Sequence, residues 1–139
     1  SPKGVGCATE ESCVPEPRMT LDTNILIAYL NGDSSVVETV NAWFQQGRAL
    51  FISSISVAEV LALPGLGPEE TGKILRFLKN FISVPFDDGL AQRAADLRRT
   101  HRLELPDAAI AATAIRQGGN LVTRDQVFRK VREITMVTV

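Results

Sequence analysis

The sequence predicts a three-layer α/β domain, with helices on both faces of a mostly parallel sheet. Three observations point there. From Met19 onward, short runs rich in Ile, Val, Leu and Phe alternate with helical patterns. The segments between those runs have the length of helical crossovers, which parallel strands require, rather than of hairpin turns. The 139 residues are 45% apolar and 22% charged, ordinary composition for one domain that buries a sizeable core without a disulfide or structural metal.

Residues 1–18 (SPKGVGCATEESCVPEPR) lack periodicity and carry three prolines. They are expected to be a flexible extension or an expression-derived segment, leaving residues 19–139 as the folded domain. Cys7 and Cys13, the only cysteines, fall there without further Cys or His to complete a zinc set, and read as free thiols.

Strands are expected at Met19–Asp22, Ala49–Ser53, Phe81–Val84, Asn120–Thr123 and Ile134–Val139. Between the first two, Val36, Val37, Val40, Trp43 and Phe44 share a helical face after a Ser34 cap. Pro68, Glu69 and Glu70 open a helix carrying Ile74, Leu75, Leu78 and Phe81. Leu90, Ala94 and Leu97 follow a cap at Asp87 or Asp88, and Pro106 starts an Ala-rich helix that Gly118 and Gly119 stop. The element order is β-α-α-β-α-α-β-α-α-β-α-β.

No stretch approaches the roughly 18 continuous apolar residues of a membrane span, and no basic-then-apolar leader is visible. A soluble, cytoplasmic protein without a membrane partner is expected. The net charge of −1 hides an asymmetry: residues 1–89 hold 6 basic and 11 acidic side chains, residues 90–139 hold 9 and 5. Arg93, Arg98, Arg99 and Arg102 cluster in one segment and Arg124, Arg129, Lys130 and Arg132 in another. Such clusters attract phosphate, or form a solvated helix face.

In an open parallel sheet, ligands bind beyond the carboxyl ends of the strands. There the sequence places Asp22-Thr23-Asn24, Ser53-Ser54 and Thr123-Arg124-Asp125. Glu59 and Asp107 add carboxylates within apolar helical text. Each acid has a structural alternative: Asp22, Asp107 and Asp125 suit helix starts, and Glu59 suits a solvated face. Four carboxylates on one rim would repel one another, and Arg124 is their only basic neighbour in sequence. A divalent cation would supply the missing charge, and an oxygen-only ligand set favours Mg²⁺ or Mn²⁺ over zinc.

These motifs resemble those of the PIN-domain nucleases, and more narrowly the toxin ribonucleases of the VapC type: Leu-Asp-Thr-Asn at the first strand, Ser53 and Ser56 before Glu59, Asp-Ala-x-Ile-Ala-Ala-x-Ala from Asp107, and Val-Thr-Arg-Asp from Val122. The resemblance runs from Met19 to the C-terminus in the family's order. It implies Asp22, Glu59, Asp107 and Asp125 as catalytic, metal-binding acids, with Asn24 and Thr123 as polar supports. It also implies an endoribonuclease using Mg²⁺ or Mn²⁺, an RNA substrate, a VapB-like antitoxin partner and a homodimer. Arg93, Arg98, Arg99, Arg124 and Arg129 are the candidates for RNA phosphates. His101 lies in a basic run and reads as a surface residue, and Tyr29 is the aromatic least committed to the core. A receiver domain would want two adjacent acids after its first strand, and a haloacid-type phosphatase an Asp where Asn24 stands. The remaining alternative is a non-catalytic RNA-binding or scaffolding domain whose acids are structural.

Overall fold

Met19–Leu21 (β1) occupies the centre of a five-stranded sheet, with Leu50–Ser53 (β2) and Ile82–Val84 (β3) on one side and Asn120–Val122 (β4) and Thr135–Val137 (β5) on the other. The computed structural model describes residues 17–139, so Cys7, Cys13 and most of the 1–18 segment lie outside it. Every strand pair is parallel, with Thr20 opposite both Phe51 and Leu121, and Ser53 opposite Val84. Arg18, next to the first strand, is anchored: its carbonyl accepts from Asn120 Nδ2 at 3.1 Å and its guanidinium lies 5.9 Å from the Phe51 ring centre.

The alternation of side chains along each strand sorts the core into two clusters. Met19, Leu21, Leu50, Ile52 and Val122 face one helical layer, formed by Thr23–Leu30 (α1), Ser34–Gln45 (α2), Ser54–Leu61 (α3) and Pro68–Leu78 (α4). Phe51, Val84 and Leu121 face the other, formed by Asp88–His101 (α5) and Leu105–Arg116 (α6) with the 3₁₀ turn Gln126–Lys130. The three-layer architecture is the one the sequence predicts. Helix α6 packs closely because its buried face is mostly alanine: Ala108, Ala109, Ala111, Ala112 and Ala114 are all buried.

Local details differ from expectation by a residue or a face. The cap of α2 is Asp33, whose carboxylate accepts from Val36 N, rather than Ser34. Helix α6 begins at Leu105, a residue before Pro106. On α4, Ile74 and Leu78 are buried while Leu75 is exposed. Asp87 caps α5 through Leu90 N and pairs with Arg116. Gly118 and Gly119 end α6 with φ of 107° and 96°, a left-handed backbone that favours glycine. Among the described residues, no helix is long and apolar enough to cross a membrane.

Candidate functional site: an acidic rim at the β1–β4 switch point

Chain connections run outward from β1 through β2 to β3, and from β4 to β5 on the other side. Strand order therefore reverses between β1 and β4, where an open α/β sheet leaves a crevice beyond its carboxyl ends. Asp22 leaves β1 at this point, its backbone N–H bonded to Val122 O at 3.0 Å. It occupies the N-cap position of α1 without capping it through its side chain. The carboxylate is instead held by the Thr123 hydroxyl, which donates to Oδ2 at 2.8 Å.

Thr123 also accepts the Asp125 backbone N–H at 3.0 Å. Asp125 Oδ1 accepts from Val127 N at 3.0 Å and so caps the 3₁₀ turn. The structural reading of this acid is thus met by one oxygen, leaving Oδ2 for another role. Glu59, half-buried on α3, accepts a 2.6 Å hydrogen bond from the Thr23 hydroxyl. Ser56 Oγ stands 2.8 Å from the same hydroxyl oxygen. A carboxylate only accepts and Thr23 has one hydroxyl proton, so the chain runs Ser56 to Thr23 to Glu59. Ser56 and Glu59 share a face by their i, i+3 spacing, and Ser53 caps the same helix through Ile55 N.

Asp107 lies in the first turn of α6 and completes the set. Burial raises the Asp22 carboxyl from its ordinary 3.8 to about 6; the Thr123 hydroxyl and the Thr23 backbone N–H pull it down, and the charges of Asp107 and Asp125 push it up. The Asp107 carboxyl is raised by burial and then by Asp125, Glu104 and Glu59. Those effects couple Asp22, Asp107 and Asp125, and bring Glu59 into the field of Asp107. Among the described residues the ion pairs are Glu69–Lys73, Asp96–Arg99, Asp87–Arg116 and Asp33–Arg124, so none of the four acids takes part in one. Nor, as the side chains stand, does any group of three or more His, Cys, Asp or Glu form a ready cage for a metal ion among those residues.

The other candidates fall in different places. Asn24 is exposed, while its neighbour Thr23 is buried and makes the contact to Glu59. Arg124 turns from the rim to Asp33, at 2.7 Å, and to Ser35 Oγ and Val139 O. Arg93, Arg98, Arg99 and Arg129 are exposed. Tyr29 stacks on Phe77 at 4.7 Å and donates to Asn41 Oδ1, so its ring is engaged inside the protein. Thr23, Ser56 and Glu104 also belong to this neighbourhood: the sequence motifs contain Thr23 and Ser56 but assign neither a role, and Glu104 is outside them. The hydroxyl next to Asp22 and the Ser56–Glu59 spacing are the signals for the first two.

Residues 19–134 match the PIN domain family. The chain is 35% identical to "Ribonuclease VapC10" of Mycobacterium tuberculosis (strain ATCC 25618 / H37Rv) over 111 residues, which are 74% of this chain and 79% of that protein. Among solved structures it is similar to a chain of a toxin-antitoxin complex from Klebsiella pneumoniae, with TM-score 0.73 and 28% identity over 84% of this chain and 95% of that one. A chain of DNA-bound VapBC from Salmonella typhimurium shares the fold, with TM-score 0.72 and 24% identity over 88% and 98% of the two chains. Sequence, fold and relatives agree: the chain belongs to the PIN-domain family, among the VapC-type toxins.

Proposed function

We propose that this chain is a divalent-metal-dependent endoribonuclease and the toxin of a toxin-antitoxin pair, hydrolysing RNA phosphodiester bonds. The observation that carries the reading is the Asp22 carboxyl, buried beside Asp107 and Asp125 without a cationic partner and raised to about 6. Keeping it ionised at neutral pH costs about 1–3 kcal/mol, which a bound cation would offset.

The donor set fits Mg²⁺ or Mn²⁺: all oxygen, negatively charged and at a crevice mouth. Mg²⁺ usually keeps several waters and takes only one or two protein carboxylates beside substrate phosphate, so a preformed cage of three is not required. Asp22, Asp107 and Asp125 are the residues that would hold it, with Glu59 bonding directly or through water. A cation there supplies positive charge for a phosphodiester and acidifies water. The chain's own residues do the positioning. Thr123 holds Asp22, Thr23 holds Glu59, and the cap holds Asp125, so each carboxylate is oriented by a donor of its own.

The similarity to chains of a toxin-antitoxin complex and of VapBC supports a VapB-like antitoxin as partner; a second copy of the chain and a cytoplasmic setting belong to the same proposal. The test is incubation with a mixed RNA pool in Mn²⁺ or Mg²⁺ and then in EDTA. Cleavage that needs the metal and is lost in Asp22→Asn is expected; intact RNA with every metal sinks the reading. The absence of a ready cage among the described residues favours one alternative, a non-catalytic RNA-binding domain. Binding retained without cleavage would establish it.

A further inference from the structure

The C-terminal end of α5 borders an open cavity of about 550 Å³ whose wall includes Arg98, Arg99, Arg102 and Glu104. The three guanidiniums are not equivalent. Arg99 is neutralised by Asp96, one turn earlier. Arg98 donates through Nε to Leu103 O at 3.2 Å, which orients the side chain and leaves its terminal NH₂ groups without a hydrogen-bond partner among the described residues. The Arg102 side chain has no such partner among those residues either.

Arg102 is also the one described residue other than glycine with positive φ, at 57°, in the left-handed C-cap of α5. Glycine or asparagine fills such a position with less strain, so an arginine there costs backbone energy that the cap does not need. Strain at a residue whose side chain walls a cavity is a reason to look for its use. Glu104, on the same wall, is the N-cap of α6, and Asp107 lies in the first turn of that helix three residues on, so the cavity wall runs on towards Asp107.

We propose that this cavity docks the phosphodiester backbone of the RNA strand beside the bond to be cut, with Arg98 and Arg102 as its phosphate ligands. The inference rests on the nuclease reading and adds the path of the substrate. Guanidinium groups match phosphate oxygens bidentately, and such contacts position a strand without reading its bases. A strand anchored there would lead one of its phosphates onto the rim at Asp107.

The experiment uses a fluorescein-labelled single-stranded RNA of mixed sequence, with anisotropy measured in EDTA over a range of salt, for the wild-type chain, Arg102→Gly and Arg98→Gln. Arg102→Gly is expected to melt at or above the wild-type temperature, because glycine relieves the backbone. Both variants should bind RNA several-fold more weakly, with the slope of log K on log salt flattened by about 0.7 for each phosphate that the protein no longer neutralises. Unchanged affinity and slope in both overturn the proposal. So does a lowered melting temperature in Arg102→Gly with unchanged affinity, since the arginine would then serve the helix end alone. Weakened binding by both variants of a wild-type protein that cleaves nothing would uphold the cavity and sink the nuclease reading.

Discussion

The Thr123 hydroxyl donates to Asp22 Oδ2 at 2.8 Å across 101 positions of sequence. Its lone pair meanwhile accepts the Asp125 backbone N–H. One buried side chain thus sets the spacing of the acids that end β1 and follow β4. Thr123→Val keeps the shape and removes both bonds. It should lower stability by about 1–3 kcal/mol, because polar groups in the crevice lose partners. It should also raise the Asp22 carboxyl further and move the acid limb of any cleavage profile to higher pH. Thr123→Ser should restore both, as urea titration and a pH–rate series would show.

Asp22 itself makes stability depend on pH with a defined sign. Its folded value, about 6, lies above its ordinary 3.8, so between those limits the native state binds more protons than the unfolded chain. Stability is therefore greater below about pH 3.8 and is lost as pH rises through 6. Asp22→Asn removes the titration while keeping an acceptor for Thr123. In EDTA the variant should be more stable than wild type by about 1–3 kcal/mol at pH 7, with the gain shrinking towards about pH 4. Equal stability at neutral pH would mean the carboxylate is better solvated than its burial implies. Adding Mn²⁺ should raise the wild-type melting temperature more than that of the variant.

Thr23 should matter to Glu59 in the same way. Thr23→Val removes the donor to Glu59 Oε1, and Ser56 loses its acceptor. Cleavage is expected to fall roughly tenfold, the equivalent of about 1.4 kcal/mol of barrier. The Mn²⁺ concentration for half-maximal binding should rise, followed by the spin resonance of free Mn²⁺. Thr23→Ser should behave as wild type.

The two glycines after α6 make different demands. A Cβ on Gly119 would lie 2.7 Å from the Glu133 carbonyl oxygen, whereas one on Gly118 meets nothing within 4 Å. Both carry positive φ, so both alanine variants are strained, but only Gly119→Ala also forces backbone apart beside the β4–β5 pairing. It should cost about 1–3 kcal/mol more than Gly118→Ala, as chemical denaturation would reveal.

Much of this architecture was legible because burial writes itself into sequence at short range. Strands covered on both faces read as apolar runs, and the helices between them carry caps and periodic apolar faces. What escaped is either degenerate or distant. Asp33 and Ser34 are both good caps, so their order does not reveal which one acts. Asn24 and Thr23 both follow Asp22, and the helical start decides that the threonine side chain turns inward. Arg124 sits beside Asp125 in sequence, yet its partner Asp33 is 91 positions away, and no spacing rule links them. Asp22 and Asp125 are readable from their strand-end placement, and Glu59, Asp107 and the supporting Thr123 through family resemblance, while the partners of the Thr123 and Thr23 hydroxyls are visible only in the folded chain.

The reversal of strand order at β1 also governs when during synthesis the rim can exist. Strands β2 and β3 lie on one flank of β1 and precede residue 85 in the chain, but Thr123 and Asp125 arrive only with the fourth strand on the opposite flank. A nascent or clipped polypeptide ending before that strand holds three of the acids without the hydroxyl that fixes Asp22. The crevice therefore waits for β4, because both flanks of β1 must be in place before Thr123 can reach Asp22.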